Sequence, residues 1–287
     1  MKSFSKRPFI IVAPNGAYRS TSDHPAIPLT PAELAQTALE CLHSGAAMIH
    51  LHARTPEGHH SLELDDNRRT YEAVKEAVGD RMVVQMTTES ASQYSMQAQM
   101  DLIYDLQPEA ASFGLRELIP DPSYEAHAGG FFRWVAETGI LAQYILYSPE
   151  DLRYYLDLRK RNLLPTGNHH LLIVLGRYSE GMRSNTRHLT PFKPLLWQLN
   201  DVRWAVCAFG ELEQACLLSA VELGGDVRVG FENNLYDAQG DLARDNASQV
   251  RQLYRAICAS QILPLSGEDV RRRMLTAANE RARLAHY

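Results

Sequence analysis

The stretch Gly45-Ala46-Ala47-Met48-Ile49-His50-Leu51-His52-Ala53-Arg54 decides the fold, because it reads as a helix stop followed at once by a fully buried strand. Upstream, Thr30-Pro31-Ala32-Glu33 supplies a capping hydroxyl, a proline suited to the first helical position and the acid of a capping box, so a helix runs from there to Gly45. The same alternation continues in both directions. Strand candidates are 9–13, 48–53, 82–87, 110–113, 141–147, 171–176, 204–209 and 227–231. Between and after them, helical spacing covers 66–78, 96–106, 124–137, 149–162, 191–199, 211–223 and 243–259, and Ser148-Pro149-Glu150-Asp151 repeats the pattern of a helix start. Eight such units in 287 residues predict an α/β chain folded as a single (β/α)8 TIM barrel, with 263–287 as a basic C-terminal helical extension. The competing fold is a doubly wound open sheet, but no G-x-G-x-x-G follows the first strand. In a barrel, the long irregular stretches 15–29 and 177–190 fall after strands one and six, on the catalytic rim.

Composition narrows the class of partner. Hydrophobic residues make up 45% of the chain and charged residues 22%, which permits a large core and differs from disordered or collagen-like chains. The net charge of -5, with no dense Lys/Arg run, argues against nucleic acid. An anionic ligand stays possible, since a few arginines converging in one pocket can hold a carboxylate or phosphate. Cys41, Cys207, Cys216 and Cys258 form no C-x-x-C pair and read as free thiols. The apolar run 9–13 is too short for a signal-peptide core, and 171–175 falls far short of the roughly 20 residues that span a bilayer. The expectation is a cytoplasmic protein with no membrane partner.

Two segments carry the chemistry. Alternation along a strand sends His50 and His52 to one face, which in a barrel brings two imidazoles into the centre near the C-terminal rim. Neutral imidazoles are ordinary zinc ligands, and the apolar flanks Met48, Ile49, Leu51 and Ala53 mark a buried strand where unpaired imidazoles are costly. The alternative is a pair of polar strand residues that are hydrogen-bonded or exposed. In Val227-Arg228-Val229-Gly230-Phe231-Glu232-Asn233-Asn234, Arg228, Gly230 and Glu232 share one face. An inward Glu232 completes a metal set of two histidines and one carboxylate with positions left open; a Glu232–Arg228 salt bridge is compatible with that role.

With these motifs in view, the chain resembles the β-keto acid cleavage enzymes. The likeness rests on Asn15-Gly16-Ala17, Pro28-Leu29-Thr30-Pro31, the run 45–54, Thr87-Thr88 and Gly224-Gly225-Asp226 through Leu235, and it extends from strand one to Asn246. It implies a zinc-containing (β/α)8 barrel, a homo-oligomer and by resemblance a tetramer, that condenses a β-keto acid with acetyl-CoA and releases acetoacetate and a new acyl-CoA. His50, His52 and Glu232 match the family's metal ligands, Arg228 its arginine, and Thr87 a substrate-contacting hydroxyl. One Zn2+ per chain and acetyl-CoA as co-substrate follow, although two imidazoles and a carboxylate also accommodate other divalent metals.

Three departures bear on the reaction. Asn233 stands where the family carries an aspartate for acid/base work, and an amide accepts no proton usefully. Thr87-Thr88 is followed by Glu89-Ser90 in place of glycines, so the Glu89 carboxylate is a candidate for the missing base, for the metal or for a cationic substrate, against a solvated or helix-capping role. Tyr18 replaces a glutamate that meets the substrate amine in a described member. Asn15, Tyr18 and Ser112 are candidate substrate contacts, and Arg177, Arg183, Arg187 and Lys193 are candidate phosphate contacts against the alternative of a solvated loop. His59-His60 and His169-His170 read as exposed turn residues, and Glu211 and Glu213 as acids favoured at a helix start. Two other functions compete. An amidohydrolase-type hydrolase also opens with H-x-H but needs more histidines on later strands, and a non-catalytic metabolite-binding relative follows from Asn233.

Overall fold

Each apolar run becomes a strand, and parallel pairing in chain order closes the eight of them into a barrel. The computed structural model describes residues 7–167, 169–177 and 180–275. The strands are β1 (Ile10–Val12), β2 (Met48–Leu51), β3 (Val83–Thr87), β4 (Ala110–Gly114), β5 (Leu141–Leu146), β6 (His169–Val174), β7 (Arg203–Cys207) and β8 (Asp226–Val229), with β8 paired to β1. The helices are α1 (Pro31–Ser44), α2 (Leu64–Val78), α3 (Met96–Leu106), α4 (Leu115–Leu118), α5 (Glu125–Glu137), α6 (Pro149–Lys160), α7 (Lys193–Leu196), α8 (Glu213–Glu222), α9 (Asn246–Ala259) and α10 (Gly267–Val270). The expected (β/α)8 barrel is therefore the observed fold.

Local sequence explains the helix starts. Thr30 and Glu33 form the reciprocal capping box of α1, Ser148 and Asp151 that of α6, and Asp245 and Ser248 that of α9. Such a cap contributes about 1 kcal/mol by satisfying amides that the helix leaves open. The helix expected over 191–199 is reduced to the single turn α7, preceded by a 3-10 segment, Thr186–Phe192. Pro191 and Pro194 cause this, because neither can donate a backbone hydrogen bond.

Strand alternation builds two cores. Ile10, Val12, Ile49, Leu51, Val84 and Met86 face outward and pack on the helices, while Ile11, Met48, Val83, Ala110, Leu141, Leu172 and Ala205 fill the barrel. The N-terminal mouth is plugged by Phe9 together with Leu265, Val270 and Leu275, and Leu265 N donates to Pro8 O at 2.8 Å. The expected C-terminal extension is thus, in its described part, a sealing segment that passes through α10 into the turn Arg271–Leu275; residues 276–287 lie outside the described residues.

The expectation that His169 and His170 are exposed turn residues is overturned. Both belong to β6 and are buried at the closed end of the barrel. Their imidazoles are tolerated there because they have partners: His169 Nε2 meets the Tyr155 hydroxyl, and His170 lies between Gln143, at 2.7 Å, and Asp226, at 3.1 Å. No two of the four cysteines are joined. Among the described residues no helix is long and apolar enough to cross a membrane.

Candidate metal centre and its cavity

Two strands on either side of β1 bring the three expected ligands together. His50 and His52 project inward from β2 and its exit, and Glu232 follows the turn after β8. That turn depends on two glycines. A Cβ on Gly230, at φ 138°, would sit 2.3 Å from Ala13 O, and one on Gly16, at φ 67°, would sit 2.6 Å from Glu232 Cγ. Only glycine lets both loops press the Glu232 side chain into the barrel mouth.

The ligand atoms converge. The two Nε2 atoms lie 3.1 Å apart, and Glu232 Oε2 lies 3.4 Å from each of them. His50 Nδ1 donates to Gln85 Oε1 at 2.8 Å, which puts the ring proton on Nδ1 and leaves the Nε2 lone pair facing the cluster. Burial holds His50 down to about 4 and His52 down to about 3, so both rings are neutral at physiological pH. Burial alone would raise Glu232, but Arg228 and the two imidazoles hold it well below the usual carboxylate range. Glu232 Oε2 is buried with no hydrogen-bond partner, whereas Oε1 accepts from Arg228 at 2.7 Å. A proton on His52 Nε2 can serve only one of the other two atoms at a time, whereas a divalent cation takes a lone pair from all three. His50, His52 and Glu232 therefore fit a metal ion, and they form the one His/Cys/Asp/Glu cluster of suitable geometry among the described residues.

The cluster opens into a cavity of about 410 Å³. Asn15, Tyr18, Thr87, Glu89, Arg228 and Asn233, all singled out from the sequence, line it together with His50 and Glu232. Asn15 Nδ2 donates to the His52 carbonyl at 2.9 Å, fixing the end of β2, and Thr87 Oγ1 accepts from Glu89 N at 3.0 Å. Burial, then the negative charges of Glu232 and Glu117, push Glu89 up to about 7; its carboxylate lies 3.8 Å from His52 Nε2. Asn233 is 2% exposed, yet neither its Oδ1 nor its Nδ2 has a partner. Arg228 also donates to Cys207 Sγ at 3.5 Å. Tyr18 is 62% exposed, with the Arg177 guanidinium 6.0 Å from its ring centroid.

Other candidates lie elsewhere. Ser112 is buried beside Thr87 in the barrel wall, its Oγ unpartnered, but it does not line the cavity. Of the four loop cations only Arg177 reaches the cavity lining. His60, expected to be exposed, is buried: its Nε2 donates to the Glu89 carbonyl at 2.7 Å and its ring sits 5.2 Å from that of His52. His59 is exposed as expected. Glu213 starts α8, as expected for an acid, but burial pushes it up to about 8, and it accepts from Asn234 at 3.0 Å. No histidine of β6 or the following loop reaches the cluster, which removes the further ligands an amidohydrolase site requires.

Sequence reasoning missed four contributors. Gln85 orients His50, and its inward place between Val83 and Thr87 on β3 was a readable signal. Arg54 is buried and donates to the carbonyls of Gly16, Arg19 and Gly58, clamping the loop after β1. Arg19 and Glu117 line the cavity, and nothing in their local sequence announces it.

Comparison with known proteins agrees with the geometry. The chain is 26% identical over 247 residues to a 3-keto-5-aminohexanoate cleavage enzyme from Fusobacterium nucleatum subsp. nucleatum, covering 84% of this chain and 87% of the relative. It is 26% identical over 287 residues to a 3,5-dioxohexanoate:acetyl-CoA acetone transferase from Paraburkholderia graminis, covering 88% of this chain and 91% of the relative. The apo structure of ObcA superposes with a TM-score of 0.70 at 17% identity over 87% of this chain; the chain spans 65% of that protein's length, and the likeness is one of fold. Residues 8–275 match the model of the beta-keto acid cleavage enzyme family, and the chain belongs to that family.

Proposed function

We propose that the protein condenses a β-keto acid with acetyl-CoA and releases acetoacetate and a new acyl-CoA, with His50, His52 and Glu232 holding a zinc ion. The observation that carries this reading is the convergence of two neutral imidazole nitrogens and an orphaned carboxylate oxygen at the mouth of a cavity. Membership of the family and the names of the relatives support the keto acid and the thioester. In the net exchange, the C2–C3 bond of the keto acid breaks, C2 joins the acetyl carbonyl carbon, and the coenzyme A sulfur takes the departing acyl group. A divalent metal at this site supplies Lewis-acid polarisation of the keto carbonyl.

The chain's own residues do the rest. Glu89 accepts the C2 proton of the keto acid, taking the place of the aspartate that Asn233 replaces; its carboxylate makes no hydrogen bond among the described residues and sits at about 7, near the operating pH. Thr87 holds the Glu89 backbone and keeps its own hydroxyl proton for a substrate oxygen. Arg228, buried and cationic, offsets negative charge that develops beside it. Asn233 gives its unpartnered amide to the substrate, with Asn15 and Tyr18 completing the wall and Ser112 behind it. Exposed Trp197 and Leu212 support a homo-oligomer, by resemblance a tetramer, and sedimentation of the purified protein tests that.

The test is acetoacetate formation by metal-replete protein supplied with acetyl-CoA and a panel of β-keto acids. One or more acids is converted, and Glu89→Gln lowers turnover by about 10²–10⁴-fold. No conversion of any acid overturns the reading and favours the metabolite-binding alternative that Asn233 raises. Unchanged turnover in Glu89→Gln removes Glu89 as the base.

A further inference from the structure

The charged groups that line the cavity are not equally occupied. Arg228 and Glu232 are paired at 2.7 Å. Asp23 Oδ2 accepts from Ser20 N at 2.8 Å, and Glu117 Oε2 accepts from Ser90 N at 2.9 Å. Arg177 rests over the Tyr18 ring and donates to Met182 Sδ at 3.7 Å. Glu89 faces the metal ligand His52. Arg19 remains: its guanidinium is half-buried, lines the cavity, and makes no hydrogen bond or ion pair among the described residues.

Arg19 is also held in place. Its carbonyl accepts from Arg54 at 2.8 Å, and the same nitrogen of Arg54 binds the carbonyl of Gly16, where a Cβ would fall 2.6 Å from Glu232 Cγ. Arg54 itself is 6% exposed, and its other terminal nitrogen donates to Gly58 O at 2.7 Å. A short, clamped turn thus fixes the backbone that carries an unpaired cation, three residues after Gly16. Burial pulls Arg19 below its ordinary pKa, with Asp23, Glu213 and Glu232 opposing from beyond contact distance, so its desolvation is only partly offset by the protein.

We infer that Arg19 is a specificity-determining residue that takes a second, distal carboxylate, so that the substrate is a β-keto diacid. The inference rests on the β-keto acid reading and extends it. A guanidinium presents a planar fork that matches a carboxylate bidentately, and the backbone that carries this one is already fixed by Arg54. A phosphate of coenzyme A offers similar chemistry. It sits at the far end of a long flexible arm, however, whereas a small acid anchored at the metal ligands occupies the same cavity that Arg19 lines.

The experiment compares 3-oxoadipate with 3-oxohexanoate at saturating acetyl-CoA, and, apart from turnover, the binding of the unreactive pair adipate and hexanoate by calorimetry to metal-replete protein. The diacid is favoured in kcat/KM by on the order of 10- to 100-fold, as for one charge-assisted hydrogen-bonded contact. In Arg19→Met that ratio collapses toward unity through KM for the diacid, adipate binding falls in step, and Arg19→Lys restores part of both. A shift confined to KM for acetyl-CoA assigns Arg19 to the coenzyme phosphates and overturns the inference, as does equal treatment of the two acids by the unaltered protein. If neither keto acid turns over but adipate still binds in an Arg19-dependent way, the reaction proposed above fails while this subsite stands; adipate binding that ignores Arg19 removes the subsite.

Discussion

The two ends of the barrel carry nearly the same side chains and treat them in opposite ways. At the closed end, His170, Asp226 and Arg203 form a buried set in which every charged oxygen is used: Asp226 accepts from Phe9 N at 2.9 Å, from His170 at 3.1 Å and from Arg203. At the open end, His50, His52, Glu232 and Arg228 form a comparable set, yet the carboxylate oxygen Glu232 Oε2 and both polar atoms of Asn233 have no partner, whereas the closed end leaves the neutral atoms His169 Nδ1 and Gln143 Oε1 open but neither oxygen of Asp226. One strand, β8, supplies Asp226 to the first set and Arg228 to the second. Identical chemistry thus acts as a structural lock where the protein satisfies it and as a candidate site where the protein leaves it open.

The comparison breaks or holds first on stability. Arg203→Met leaves the buried Asp226 carboxylate without its cation and is expected to cost about 3–5 kcal/mol in denaturant unfolding. Asn233→Ala removes an amide that binds no protein group, and the same measurement should move by about 1 kcal/mol or less. Equal losses would show that the upper polar groups are structural too. A smaller effect sharpens the upper site itself: Gln85→Leu removes the acceptor that orients His50, and metal affinity measured by competition with a chelator should fall by about 10- to 100-fold with the fold retained. Unchanged affinity would deny Gln85 that role.

The smallest expected effect is the acid response of the lower end. Burial holds His169 down to about 4 and lowers His170 as well, so in the unfolded chain, where imidazole titrates near ~6.5, both gain protons first. Their contribution is complete above about pH 6.5 and is lost as pH falls toward the folded values. Burial would raise Asp226, but Arg203 and His170 outweigh it and leave it lowered, so its contribution is present above the ordinary carboxylate range and disappears as pH falls through the folded value. Unfolding followed between about pH 7 and 4 should show falling stability, with a shallower slope in His169→Gln. A flat profile would contradict the buried, neutral assignment of these rings.

Much of the fold was legible because it is written in local periodicity. Thr30 and Glu33 cap α1, Ser148 and Asp151 cap α6, and all eight strands fall within two or three residues of the expected runs. The convergence of His50, His52 and Glu232 was legible for the same reason, since alternation placed His50 and His52 on one face of the strand. What escaped were contacts between residues far apart in the chain. His60 is buried because the Glu89 carbonyl, 29 residues on, accepts its proton, and His170 because Asp226, 56 residues on, does. Arg54 stood inside the quoted motif, but its clamp on Gly16 and Arg19 exists only once β1 and β2 are paired. Polar residues read one at a time look exposed; closure of the barrel gives them partners.

In the proposed reaction, the open lone pairs of the upper end hold a cation on which cleavage depends. Elemental analysis of the purified protein and of His52→Ala tests it most directly. About one equivalent of divalent metal per chain is expected in the first and none in the second, with acetoacetate formation lost by about a thousandfold or more. Full turnover by metal-free protein, or undiminished metal in His52→Ala, would contradict it.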